Sequence, residues 1–526
     1  AFCAIGYARA TGRPAVLVCT SGTAAANYFP AVIEAATDHL PMIMLTADRP
    51  PELRATAANQ TIDQAKLYGD YSRWFFEFPC PDRAISPRVV LTTIDQAVYR
   101  SQQRPAGPVH LNLLFREPLA PIGQEDGFTE YLADIKDWRA SDSPFTRYHQ
   151  PTTVCEPARM EDAARLVNAA DRGLIVVGRM KRSQDRAAIT KVARALGWPV
   201  LADIGSGLRL GDKNELAVPC ADQILCSSSF ANSHRPDTVL HLGPPITSKR
   251  IRQWLSSSRP KAHIHVADLP ERQDPEHQIT HRYDSDIEMF CNFLLPFISG
   301  KPRPDFRDSW HTAASKATAA LDRTLQERGS ISEPLVARLV TRCISYDACL
   351  FAASSMPIRD LDLFADPSGT SVPTGANRGA SGIDGTIASA VGFSLGHQKR
   401  CTLLIGDLAL LHDLNSLALV CKAPQPMTIV AINNDGGGIF HFLPIARRTD
   451  LFETYWGAPH SLSFEHAAAM FGLNYACPAT PAEFEQTYRQ SQTSDRPQLI
   501  EVRTNREKNL QLHNTITAAI ADALDH

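Results

Sequence analysis

Short apolar runs rich in β-branched residues alternate along the chain with stretches of helical pattern, the grammar of parallel α/β sheets. A first block, 1–135, carries predicted strands at 15–19, 42–47 and 109–115. A Pro-rich polar stretch from about 117 to 157 reads as a surface linker. A second block, 155–300, has predicted strands at 174–178, 199–203, 238–243 and 262–268. Another Pro-rich link, 301–308, precedes a third block, 325–526, with predicted strands at 347–354, 402–407, 427–434 and 498–505. There is no sequence repeat. The expected fold class is α/β, three doubly wound parallel-sheet domains in a row.

The first residues, AFCAIGYARATGRP, read as the second half of an amphipathic helix closing at Gly12, with no initiator Met or leader before them. The chain is therefore expected to begin inside its first domain.

Composition narrows the function classes. The chain has 526 residues, 44% hydrophobic and 21% charged, an ordinary globular balance. Its 53 basic and 56 acidic residues leave a formal charge of −3. No overall field draws nucleic acid or a membrane surface, so an anion site must be a local cluster. No apolar run approaches the roughly 18 to 20 residues needed to cross a bilayer. The 12 cysteines form no CxxC pair and read as thiols of a reducing compartment.

Ligands of such sheets sit beyond the carboxyl ends of the strands. Strand 402–407 ends in Gly406-Asp407 and strand 427–434 in Asn433-Asn434. Residues 409–432 are enough for a loop, a helix and the returning strand, and a right-handed crossover would set Asp407 beside Asn434. An Asp carboxylate, an Asn amide oxygen and a carbonyl of the Gly436-Gly437-Gly438 turn are hard donors that suit Mg²⁺ and two phosphate oxygens. The glycines would let backbone N–H groups approach a diphosphate. The bland alternative is that GD and NN are turn residues after strands.

At these residues the sequence resembles the thiamine-diphosphate enzymes, whose pattern is GDG, about two dozen residues, then NN; here Leu408 replaces the last glycine. The strings CTSGTAAAN, LTADRPPEL, NRGASGIDG, GDLALLHDLNSL and NNDGGGIFHFLP narrow the resemblance to the 2-succinyl-5-enolpyruvyl-6-hydroxy-3-cyclohexene-1-carboxylate synthases. These enzymes of menaquinone and phylloquinone synthesis decarboxylate 2-oxoglutarate on thiamine diphosphate and add the remaining carbanion equivalent to isochorismate.

By that resemblance Asp407, Asn434 and the Gly436 carbonyl would hold Mg²⁺ or Mn²⁺. Gly406, Leu408, Gly437, Ser21 and Gly22 would line the cofactor. Ile383 would be the apolar wedge that bends it, Ile439 and Phe440 would wall its thiazolium, and Leu443 would face substrate. Each of these apolar residues could instead be ordinary packing. Both substrates are carboxylates, for which bidentate arginines are the suitable recognition group. Arg378, Arg359 and the pair Lys249-Arg250 are the candidates, with Ser355, Gln60 and Asn377 adding neutral hydrogen bonds; a solvated face is the alternative for each cation. Arg49 would hold its own turn. The glycines of 205–211 do not form a dinucleotide fingerprint.

The resemblance also implies a homodimer or tetramer, no nucleic-acid or membrane partner, and a bacterial cytoplasmic or plastid location. It places an activating glutamate just upstream of Ala1. Glu34 and Glu52 fall in other elements and cannot substitute, so the chain is expected to be a fragment, poor at binding cofactor and inactive alone. Competing readings are another thiamine-diphosphate carboligase, a non-catalytic remnant and, more weakly, a nicotinamide-binding protein.

Overall fold

A computed structural model describes every residue except 121–126, 212–215 and 300–303. The chain divides into two compact units, Ala1–Pro151 with Asn377–His397, and Thr152–Ala376 with Gln398–His526.

The first unit holds four parallel strands: β1 (Ala15–Cys19), β2 (Met42–Asp48), β3 (Trp74–Phe78) and β4 (Pro108–Leu114), ordered β1-β2-β4-β3. Alternation along β2 builds both layers. Met42 and Met44 pack with Ile5, Ala8, Val32 and Ala35 from helices Phe2–Thr11 and Phe29–Thr37. Ile43 joins Phe78, Ala97, Val109 and Leu111 on the opposite face, under helix Arg88–Gln102. A strand covered on both faces reads as an unbroken apolar run, which is why MIMLTA stands out. Helix Phe2–Thr11 closes at Gly12 as expected and runs against helix Thr386–His397. A Cβ on Gly6 would lie 1.8 Å from the Ser389 carbonyl oxygen, so the two backbones touch. The segment carrying NRGASGIDG thus folds with this unit.

The second unit holds two sheets in which every pairing is parallel. Strands β5 (Gly173–Val177), β6 (Val200–Ala202), β7 (Thr238–Leu242), β8 (Ala262–Ala267) and β9 (His281–Asp284) are ordered β6-β5-β7-β8-β9. Strands β10 (Ala348–Ala352), β11 (Thr374–Ala376), β12 (Arg400–Gly406), β13 (Met427–Asn433), β14 (Asn474–Ala476) and β15 (Gln498–Arg503) are ordered β11-β10-β12-β13-β15-β14. Ile175 and Val177 face helices Pro157–Asn168 and Ser183–Leu196. Leu174 and Val176 enter a larger core shared with Leu350, Leu404, Val430 and Ile500 of the six-stranded sheet. That core is closed by the 25-residue helix Pro304–Arg328, which occupies most of the expected link at 301–308. Residues 301–303 of that link, and 121–126 of the stretch 117–157, lie outside the described residues. Among the described residues no helix is long and apolar enough to cross a membrane.

Candidate active site

Strands β12 and β13 are neighbours with Gly406 opposite Ile432, so Asp407 and Asn434 emerge side by side. The connection between them is helical, as expected, but broken into short pieces: α-helices Asp407–His412 and Leu417–Val420 with a 3-10 turn, Leu414–Ser416, between them. Asp407 is buried. Its Oδ1 accepts from Leu408 N at 2.7 Å, and its Oδ2 from Gly436 N at 2.9 Å and Asn434 N at 3.1 Å. His460 accepts at Nδ1 from Leu462 N (3.0 Å), which leaves its proton on Nε2, 3.2 Å from Asp407 Oδ2. Burial raises the Asp407 pKa, and the backbone donors and His460 pull against it.

The two asparagines have separate duties. Asn433 Nδ2 donates to Leu462 O and to buried Glu501, and its Oδ1 accepts from Asp435 N. Asn434 Nδ2 donates to Glu333 Oε1 at 3.0 Å, while its buried Oδ1 has no hydrogen-bond partner. A bare buried amide oxygen is costly unless something fills the place beside it. Glu333 opens helix Glu333–Cys343 and also accepts from Thr504 Oγ1 at 2.9 Å. Burial, and after it the nearby Asp360, holds the Glu333 carboxyl well above the usual range. Asp360 is itself buried, 3.4 Å from His513 Nε2. The hydrogen-bond partners of Asp407 and Glu333 are thus neutral groups, with His460 close to Asp407 and other acids nearby. Among the described residues no three His, Cys, Asp or Glu side chains are grouped so as to hold a metal ion.

The glycine turn serves this site differently from expectation. Gly436 N bonds Asp407, Gly437 N bonds Gly457 O at 2.7 Å, and Gly438 N bonds Gly436 O at 2.9 Å. All three N–H groups are engaged within the chain and do not face outward to a diphosphate. The glycines are required by close approach instead: with φ at 130°, a Cβ on Gly436 would sit 1.9 Å from Gly457 O. Ile439 and Phe440 follow half-buried and Leu443 is exposed.

Other candidates are distributed over both units. In the first, Gln60 interlocks with Ser21 and Gly22: its Nε2 donates to Ser21 O (2.9 Å), its O accepts from Ser21 Oγ (2.9 Å), and its side chain flanks Gly22. Arg49 donates to Asn59 O and holds its turn as expected. Asn377 donates to Ser389 Oγ and accepts from Arg9. Arg378 and Ile383 are half-buried on the turn between them and the next helix. Glu34 holds that turn, accepting from the backbone N–H of Gly379 (2.9 Å), Ala380 (2.7 Å) and Ser381 (3.3 Å). Arg9 is ion-paired to both Glu34 and Asp38.

In the second unit Ser355 caps helix Met356–Phe364 with φ at 70°, and Arg359 donates back to its carbonyl. Arg250 is ion-paired to Asp222, whereas Lys249, beside it at the start of helix Lys249–Ser258, is exposed. Sequence reasoning missed Glu333, His460 and the duty of Glu34. The Ser332-Glu333-Pro334 string marked a helix start, but nothing local tied it to Asn434.

Parallel sheets of this order, with a carboxylate and a bare amide oxygen at adjoining strand ends, are those of a thiamine pyrophosphate enzyme. Residues 1–67 match the N-terminal TPP-binding domain of thiamine pyrophosphate enzymes, 129–352 their middle domain, and 370–502 their C-terminal TPP-binding domain. A solved structure from Mycobacterium smegmatis, described as a candidate thiamin diphosphate-dependent enzyme, shares the fold with TM-score 0.67 and 18% identity over 96% of this chain and 90% of that one. The chain belongs to the 2-succinyl-5-enolpyruvyl-6-hydroxy-3-cyclohexene-1-carboxylate synthase family. It is 50% identical to the synthase of Rubrobacter xylanophilus over 99% of this chain and 89% of that protein. The synthases of Salinibacter ruber and Prosthecochloris aestuarii are 43% and 41% identical over the whole chain, covering 88% and 89% of those proteins.

Proposed function

We propose that this chain carries out its family's reaction, loss of CO₂ from 2-oxoglutarate and addition of the remaining four-carbon unit to isochorismate. The family identity along the whole chain supports the reaction, and the bare Asn434 oxygen beside Asp407 supports the site. Thiamine diphosphate, when bound, supplies the electron sink. Asp407, Asn434 Oδ1 and the Gly436 carbonyl are the oxygens that would hold Mg²⁺, or Mn²⁺ in its place, against its diphosphate. Gly406, Leu408 and Gly437 shape that end of the site. In the first unit, Ser21, Gly22 and Gln60 are assigned to cofactor binding, and Gln60 also to substrate. Ile383 supports its bent form, and Ile439 and Phe440 pack against its ring.

Arg378 and Lys249 are the cations assigned to substrate carboxylates. Arg250 and Arg359, held by Asp222 and by the Ser355 carbonyl, orient their surroundings and add charge. Asn377, Ser355 and Leu443 are likewise assigned to substrate. The working form is a homodimer or tetramer, as in the wider superfamily. The relatives named above are bacterial, which favours menaquinone as the end product and the cytoplasm as the place.

The test supplies 2-oxoglutarate, isochorismate, thiamine diphosphate and Mg²⁺, and follows the adduct by mass. Product that needs both substrates supports the reading. Equal turnover of pyruvate would replace it with another carboligase, and full activity in a chelator would remove the metal.

A further inference from the structure

We infer that Glu333 is the positioning residue for the metal-binding amide: its carboxylate fixes which way Asn434 faces. The inference rests on the metal reading above. An asparagine amide offers an acceptor at one end and donors at the other, and rotation by half a turn exchanges them. At Asn434 one end meets Glu333 Oε1 at 3.0 Å and the other meets no hydrogen-bond partner. Oε1 of Glu333 accepts from Thr504 Oγ1 as well, so it meets Asn434 as an acceptor: the end against it is Nδ2, and Oδ1 is left in the bare position. The reverse orientation would set oxygen against oxygen and turn an NH₂ group towards the cation.

Glu333 can impose this because it is itself fixed. It is buried, it stands at the first turn of helix Glu333–Cys343, and Thr504 Oγ1 donates to the same Oε1 at 2.9 Å. Asn433, next in sequence, shows the contrast. Its NH₂ group also points at a buried carboxylate, Glu501, but its oxygen is used by Asp435 N, so it holds the turn and offers nothing to a metal.

Outer partners of a metal site set affinity by about 10- to 100-fold. The experiment titrates Mg²⁺ into the full chain with thiamine diphosphate and reads binding by calorimetry, with no turnover required. Glu333→Met keeps the length and removes the acceptor, and is expected to weaken Mg²⁺-dependent binding by about 10- to 100-fold. Glu333→Gln keeps an acceptor for Asn434 and Thr504 and is expected to restore most of the affinity. If Gln loses as much as Met, Glu333 acts through its charge and the inference fails; it fails too if both bind as the parent does. A parent chain whose cofactor binding ignores Mg²⁺ overturns the metal reading itself. Should Glu333→Met not fold, Thr504→Val, which loosens the same oxygen, is expected to give a smaller loss, and an unchanged affinity there counts against the inference.

Discussion

The two units each bury a carboxylate that accepts three backbone N–H groups, and they do so to opposite ends. Glu34 takes its donors from Gly379, Ala380 and Ser381, and the ion-paired Arg9 completes its surroundings. Asp407 takes its donors from Leu408, Asn434 and Gly436 but has a histidine where Glu34 has an arginine, and an unpartnered amide oxygen alongside. The first carboxylate is closed and works as a latch on the turn of Arg378 and Ile383. The second keeps acceptors that no cationic side chain compensates. Counting hydrogen bonds does not separate them; the missing cationic partner does.

Removing the latch is expected to cost most. Glu34→Ala leaves three backbone N–H groups without their acceptor and takes one of two carboxylates from Arg9, which keeps Asp38; the loss is expected at about 1–3 kcal/mol. Denaturant unfolding reads it, and a loss below about 1 kcal/mol would show that water replaces the carboxylate. Asp407→Ala should separate the two sites from the other side. Mg²⁺-dependent thiamine diphosphate binding is expected to fall by at least about 100-fold, beyond what outer partners of a metal contribute. The metal-free protein should lose less stability than the Glu34 variant does, because an uncompensated acid has gone. Greater destabilisation at Asp407 than at Glu34 would make both carboxylates structural.

The central strands were legible because burial on both faces leaves an unbroken apolar run, as in LIVVG and MTIVAINN. Strands β9 and β11 were not, since HRYD and TGA carry no such pattern and are ordered by pairing with β8 and β10. The aromatic WFFEF of β3 had the right composition and was passed over. Asp407 and Asn434 were legible because both end strands at a fixed separation. Glu333 reaches Asn434 from a helix far earlier in the chain, and no local pattern encodes a contact of that range. The glycine turn shows the other limit: its glycines were expected to bring backbone N–H groups to a diphosphate, whereas what leaves Gly436 no room for a side chain is the backbone at 457.

A titration contrast extends the comparison to neutral buried groups. In the second unit His241, on β7, lies beside His263 and His265, on β8. His265 accepts from Arg282 and bonds Gly243 O, and neither ring nitrogen of His263 has a hydrogen-bond partner. Burial holds His263 and His265 down to about 4 from 6.5. In the first unit His110, bonded to Thr46, is held down to about 4 by burial as well. A depressed histidine pKa means the unfolded chain takes up protons the folded chain refuses. Its contribution is therefore present above pH 6.5 and lost as pH falls towards 4. At pH 5.5 each should cost about 1.4 kcal/mol. Hydrogen exchange is expected to speed up more over 238–284 than over 42–114, and His263→Phe should reduce the difference. Equal response of the two units would break the contrast.

The smallest effect is expected at Glu52, which isolates what burial contributes to Glu34. Glu52 also pairs with an arginine, Arg116, through both carboxylate oxygens, one of them at 3.1 Å. Bond for bond the pair is better formed than Glu34 with Arg9. But both side chains are more than half exposed, whereas Arg9 and Glu34 are nearly inaccessible. Water and salt can take the place of either partner at Glu52, and two long side chains lose rotamer freedom in holding the pair. Glu52→Gln should therefore leave the melting curve indistinguishable from the parent, at low and at high salt. A clear loss that fades as salt is added would mean the fork has more rigidity than its exposure suggests. Burial alone would then no longer account for the difference between these two glutamates of the first unit.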